Sequence, residues 1–132
     1  HPNNWDRIEM HILKYYVKRC IGLPEDTLSI KNGRFRVEGI DEPLGNIKSQ
    51  QKIGQTLPEE FPSGVYRCFP YDSIIGWNIQ NFGPLYIPKT GDRLPMNLKN
   101  YQLYHKLISW EQKAKLEYKD STVFLNDKPI KD

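Results

Sequence analysis

The chain has 132 residues, enough for one hydrophobic core and too few for two independent ones. Hydrophobic residues make up 38% of it and the mean hydropathy is −0.69, low for a compact globule, yet 12% aromatic residues and scattered Ile, Leu and Val argue against outright disorder and predict one ordered domain over 1–132 with long polar loops. Nineteen basic and sixteen acidic side chains are interspersed and leave a net charge of +3, so no nucleic-acid partner is expected.

The chain opens His-Pro-Asn-Asn, with neither a methionine nor a secretory signal pattern, as a start inside a longer protein would. No apolar run approaches the roughly 20 residues that cross a bilayer, so the chain as given reads as soluble. The first element is an apolar strand, Tyr15-Tyr16-Val17-Lys18-Arg19-Cys20-Ile21, closed by a turn at Gly22-Leu23-Pro24-Glu25-Asp26. Next comes a β-hairpin over 27–38. Leu28 and Ile30 precede Asn32-Gly33, the preferred pair for a two-residue type I′ turn, and Phe35 and Val37 follow on the same face.

From 41 to about 95 the chain is rich in Pro, Gly, Gln and Asn, which excludes long helices and confines strands to short pieces at 65–69 and 85–87. Residues 41–60 read as a loop. One amphipathic helix is predicted over about 98–114, with Asn97 as N-cap and an apolar face of Tyr101, Leu103, Tyr104, Leu107, Ile108 and Trp110. A second alternating segment, 116–127, aligns without a gap with 28–39 and places Asp120-Ser121 on Asn32-Gly33. The fold class is therefore mainly β with one helix.

His1, His11, His105, Cys20 and Cys68 show no metal-ligand spacing, so no metal site is expected, and spacing leaves open whether the cysteines pair or stay reduced. The chemistry centres on Lys18. A lysine acts as a base only when neutral, and its ordinary pKa of about 10.4 leaves little free amine at pH 7 unless burial lowers it. Tyr16 and Cys20 share its strand face, so partial desolvation is expected, while Arg19 points to the opposite face with Asp26 as its candidate carboxylate. Tyr-Tyr-Val-Lys-Arg alone would equally describe a charged edge strand that discourages aggregation. The Gly22-Leu23-Pro24-x-Asp26 that follows at fixed spacing favours chemistry only through the family resemblance that it carries.

Lys18-Arg19 followed by Gly22-Leu23-Pro24-Glu25-Asp26 resembles the lysine box of type I signal peptidases, in which a Lys-Arg pair in an apolar strand precedes Gly-Leu-Pro-Gly-Asp. Asn81-Phe82-Gly83-Pro84-Leu85-Tyr86-Ile87-Pro88-Lys89-Thr90-Gly91-Asp92, the helix after it and Asn126-Asp127-Lys128-Pro129 look like the insert-bearing region of Bacteroidetes-type members, with the insert at about 41–115. The resemblance implies a partial signal-peptidase-like β fold from a membrane-anchored endopeptidase at the extracytoplasmic, periplasmic face of the inner membrane. Such an enzyme removes signal peptides from exported preproteins with a serine nucleophile and a lysine base, and uses no metal or organic cofactor. By the same resemblance Lys18 is the catalytic base, Tyr15, Tyr16 and Val17 form a wall of the substrate cleft, and Arg19, Gly22, Pro24 and Asp26 support the site.

The chain departs from that pattern in three ways. No serine lies among residues 1–17; Ser29, Ser49, Ser63, Ser73, Ser109 and Ser121 all follow Lys18, whereas the family's serine precedes it. The Gly-Asp-Asn box that closes the family pattern is absent, and Glu25 replaces a glycine. If that position requires positive φ, glutamate there costs on the order of 1 kcal/mol and adds a negative charge near Lys18; an intact turn with Glu25 facing water is expected. The chain is therefore expected to be an inactive internal piece of such an enzyme, anchored through segments outside it, with open sheet edges that invite a strand-paired dimer. The competing reading is a non-catalytic β-rich relative that binds a peptide or glycan. A self-cleaving repressor would carry a helix-turn-helix, and nothing in the sequence resembles one.

Overall fold

A computed structural model of the chain describes residues 16–130. In chain order its elements are β1 (Thr27–Lys31), β2 (Arg34–Val37), α1 (Ile47–Gln55), a 3-10 turn at Pro58–Glu60, β3 (Phe82–Tyr86), α2 (Leu98–Gln112), β4 (Leu116–Lys119), β5 (Thr122–Leu125) and β6 (Lys128–Ile130). The strands form two antiparallel three-stranded sheets, ordered β2-β1-β3 and β4-β5-β6, so the fold is mainly β as the sequence predicts.

Both hairpins follow from their turn residues. Asn32 and Gly33 take φ of 48° and 78°, the two positive values a type I′ turn needs, and the register pairs Leu28 with Val37 and Ile30 with Phe35 on one face. In the second hairpin Asp120 and Ser121 adopt φ of 49° and 62°, and Leu116 pairs with Leu125 and Tyr118 with Val123. The sequence echo between the two is thus an echo in geometry. It extends past the strands: Glu38 N–H donates to Thr27 O and Asn126 N–H to Lys115 O, at 3.0 and 2.8 Å, and the next turn brings Ile40 back to Val37 as it brings Lys128 back to Leu125.

Residues 47–55 correct the expectation of a loop over 41–60. The segment is free of proline, Asn46 caps it by accepting Ser49 N–H at 3.1 Å, and two glutamines hold it against the first hairpin. Gln50, only 2% exposed, accepts the edge amide of Phe35 through Oε1 at 3.1 Å and donates through Nε2 to Leu44 O. Gln80, 8% exposed, donates through Nε2 to Ile53 O and Thr56 O at 2.7 Å each, closing the C-terminal end of α1, while its own carbonyl accepts Gly33 N–H at 2.9 Å. α1 thereby covers the outer edge of β2. Contact is close enough that a Cβ on Gly54 would stand 2.2 Å from Asn32 O.

α2 forms as expected, with Asn97 accepting Asn100 N–H at 2.9 Å, but it packs on a rotated face. Leu103 and Tyr104 are buried, whereas Leu107 and Trp110 are 46% and 76% exposed, a correction to the single apolar face read from the sequence. The cause is the aromatic contact of Tyr101 with Tyr118 of β4, ring centroids 5.6 Å apart, together with the Tyr104 hydroxyl, which donates to Tyr86 O at 2.7 Å. These contacts turn the Tyr101-Tyr104-Ile108 side inward. The strand expected at 65–69 reduces to one bridge between Arg67 and Asn78, because prolines 62 and 70 bracket it. The other expected strand, 85–87, overlaps the end of β3, which starts earlier at Phe82 and stops at Tyr86.

Gln50→Ala leaves Phe35 N–H and Leu44 O without partners and is expected to cost about 2 kcal/mol. Gly54→Ala is expected to cost about 1–3 kcal/mol although alanine is the better helix former, because the added methyl meets backbone. Urea midpoints with an unchanged m-value measure both.

Candidate active site

The turn after Lys18-Arg19 is the best-defined part of the site. Asp26 N–H donates to Leu23 O at 3.0 Å, Pro24 occupies the second position, and Glu25 in the third has φ of 80°. These are the marks of a type II turn, whose third position favours glycine. The Asp26 side chain closes it from outside by accepting Leu23 N–H at Oδ2, 2.8 Å away. Arg19 is therefore not what Asp26 holds. Among the described residues the ion pairs are Lys89 with Glu25, and Glu117 with both Lys115 and Lys119.

Two backbone bonds tie this turn to the end of β3: Glu25 N–H donates to Ile87 O and Ile87 N–H to Asp26 O, each at 2.8 Å. Gly22 packs on the same residue, so close that a Cβ there would come within 2.5 Å of Ile87 Cδ1. Beyond Ile87 the chain makes a second turn built like the first. Asp92 N–H donates to Lys89 O at 3.2 Å, Gly91 in the third position has φ of 89°, and Asp92 Oδ2 accepts Lys89 N–H at 3.0 Å. The two turns meet through the ion pair of Lys89 with Glu25, so Glu25 faces outward, as expected, and meets a cation there.

Asp92 Oδ2 also accepts the Tyr86 hydroxyl at 2.6 Å. That bond favours the phenol over the phenolate and, with burial and the carboxylate charge adding to it, pushes the Tyr86 pKa up to about 12. The same hydrogen bond, followed by that from Lys89 N–H, holds the Asp92 carboxyl below its ordinary range. Lys89, Asp92 and Tyr86 were not singled out in the sequence as site residues. The signal was present in Thr90-Gly91-Asp92, which repeats the turn grammar of Pro24-Glu25-Asp26.

Upstream of the turn, residues 16–23 form no strand, which corrects the strand expected over 15–21. Tyr16 is 76% and Val17 95% exposed, and Lys18, Arg19 and Cys20 are exposed too. The physical reason is pairing: the first cross-chain backbone bonds of this arm are those of Glu25 and Asp26 with Ile87. Tyr15, His1 and His11 lie outside the described residues. The Cys20 thiol donates to Gly22 O at 3.2 Å, and both Cys20 and Cys68 are free, with burial pushing the Cys68 thiol pKa up. His105 stacks on Tyr101 at 4.8 Å. Among the described residues no group of three His, Cys, Asp or Glu could hold a metal ion, and no helix is long and apolar enough to cross a membrane.

The described residues thus form a mainly β chain whose lysine-bearing arm is pinned to a sheet by a closed turn. A stretch of 52 residues is 40% identical to signal peptidase I of Bacillus amyloliquefaciens, covering 36% of this chain and 28% of that protein. Over that stretch the chain is similar to a signal peptidase I. No family model matches the chain, and no solved structure does.

Glu25→Gly is expected to stabilise the chain by about 0.5–1 kcal/mol, since the relief of a left-handed φ exceeds the loss of an exposed ion pair; thermal unfolding with and without the substitution measures it. The Tyr86 hydrogen bond stabilises the fold fully below the tyrosine's ordinary pKa of about 10 and is lost as pH rises through about 12. On the acid side the contribution of Asp92 is present above an ordinary carboxyl pKa and is lost as pH falls through its lowered one. Ultraviolet titration of the chain minus that of Tyr86→Phe should therefore show a tyrosinate transition near pH 12, which Asp92→Asn moves down towards 10.

Proposed function

We propose that this chain is part of a membrane-anchored serine endopeptidase of the signal peptidase I type, a Bacteroidetes-like member acting at the extracytoplasmic face of the inner membrane on signal peptides of exported preproteins. The observation that carries the reading is the closed turn Leu23-Pro24-Glu25-Asp26 directly after Lys18-Arg19, in a chain related over 52 residues to a signal peptidase I. Lys18 is the general base: it takes the proton of a serine hydroxyl, carried outside this chain, as the oxygen attacks the scissile carbonyl, and returns it to the leaving amine. That role needs the neutral amine, hence a partner surface that removes the arm from water.

The role of Tyr15, Tyr16 and Val17 as a cleft wall needs the arm to pair as a strand, since an extended peptide binds by adding its backbone to a strand edge. Arg19, Gly22, Pro24 and Asp26 are the residues that would support the arm, a reading favoured for Gly22 by its approach to Ile87 and for Asp26 by its bonds to Leu23. No cofactor enters this chemistry. A non-catalytic peptide- or glycan-binding relative is the second reading, favoured by Glu25 at a position whose φ suits glycine.

In the full-length protein containing this chain, Lys18→Ala is expected to slow cleavage of a synthetic signal peptide by about a hundredfold or more while peptide binding changes little. Cleavage that survives the substitution removes Lys18 as the base. Peptide binding without cleavage by the unaltered protein selects the second reading.

A further inference from the structure

Three contacts of graded strength hold the lysine arm to the end of β3. Innermost, Gly22 lies on Ile87, and a Cβ there would stand 2.5 Å from Ile87 Cδ1. Next come the paired backbone bonds of Glu25 N–H with Ile87 O and of Ile87 N–H with Asp26 O, 2.8 Å each. Outermost is the ion pair of Lys89 with Glu25. The first two need only backbone and an apolar tip. The third joins two side chains 64 residues apart, and it acts on the one residue of the turn whose φ of 80° works against its own Cβ.

A glutamate in that position relieves its strain by returning φ to negative values. That motion rotates the peptide between Pro24 and Glu25, breaks the Asp26 N–H bond to Leu23 O and redirects the chain ahead of Gly22, where Lys18 lies. A cation held still on the far side of Glu25 opposes it. Lys89 is such a cation, because its backbone is fixed by both bonds to Asp92, and Asp92 in turn by the Tyr86 hydroxyl. We propose that Lys89 is a positioning residue for the lysine arm, its ammonium on the Glu25 carboxylate keeping the 23–26 turn in the conformation that a glycine would hold unaided. The proposal rests on the reading of Lys18 as the base and adds a residue that acts on it from the second turn.

The turn can be read apart from the reaction, through hydrogen exchange at the Glu25 and Ile87 amides of the full-length protein. In Lys89→Met these amides are expected to exchange about threefold faster, and kcat for signal-peptide cleavage to fall about threefold with KM unchanged, the scale of one exposed ion pair. Lys89→Arg should restore both quantities. So should Glu25→Gly added to Lys89→Met, since glycine needs no partner at this φ. Unchanged exchange in Lys89→Met, or a double variant as loose as Lys89→Met alone, overturns the proposal. If Lys18→Ala leaves cleavage intact, the base assignment fails instead, and the exchange rates still decide whether Lys89 holds the turn.

Discussion

Gln50 and Gln80 reach with their carboxamides for four backbone groups at places where strand or helix ladders end: Phe35 N–H, Leu44 O, Ile53 O and Thr56 O. Among the described residues the buried apolar side chains are few, Val37, Leu103, Tyr104, Leu116 and Val123. Apolar burial at roughly 25 cal/mol per Å² cannot by itself hold so many short elements in place. Side-chain bonds to backbone do it instead, and they are directional, so they fix geometry as well as hold it. Asn46 and Asn97 start the helices in this way, Asn126 accepts Lys115 N–H at the base of the second hairpin, and Asp26 and Asp92 close their turns.

The lysine arm depends on the same kind of bond. Its turn is one of a pair, each closed by an aspartate that accepts the amide three residues back, and the two are placed together by the backbone of Ile87. The pairing explains how one turn tolerates glutamate where the other has Gly91. A carboxylate aimed outward from the first turn meets the ammonium that the second presents, and neither side chain needs burial for the contact. An isolated exposed pair is worth little, but here one partner starts from a fixed backbone, which lowers the entropy lost in forming it.

Local rules made the hairpins legible and failed where contacts are distant in sequence. Asn32-Gly33 and the alternation around it determine both turn and register within twelve residues, and the same grammar reads correctly at Asp120-Ser121 although neither residue is glycine. α1 was not legible because its apolar residues, Ile47 and Ile53, do not make a helical stripe, and what stabilises it is Gln80, 24 and 27 residues away. The orientation of α2 was misread for a related reason: periodicity names an apolar side but not the neighbour, and Tyr104 is drawn to Tyr86 O. The turn at 23–26 could be read because a turn states its requirements in adjacent residues. Lys89 could not, since nothing near Glu25 in sequence names its counter-ion.

These bonds also connect the helix to the arm. α2 presents the Tyr104 hydroxyl to Tyr86 O, the Tyr86 hydroxyl donates to Asp92, Asp92 sets the turn that carries Lys89, and Lys89 meets Glu25 in the turn after Lys18-Arg19. Each link is one or two hydrogen bonds or an ion pair, so a displacement of α2 has a short physical route to the base of the arm. Contiguity of this kind transmits position only if the intermediate pieces are stiff. The 89–92 turn meets that condition through bonds from Asp92 to Lys89 N–H, Lys89 O and the Tyr86 hydroxyl, whereas the arm from 16 to 20, exposed and in no strand pairing among the described residues, takes its direction from where the turn leaves it.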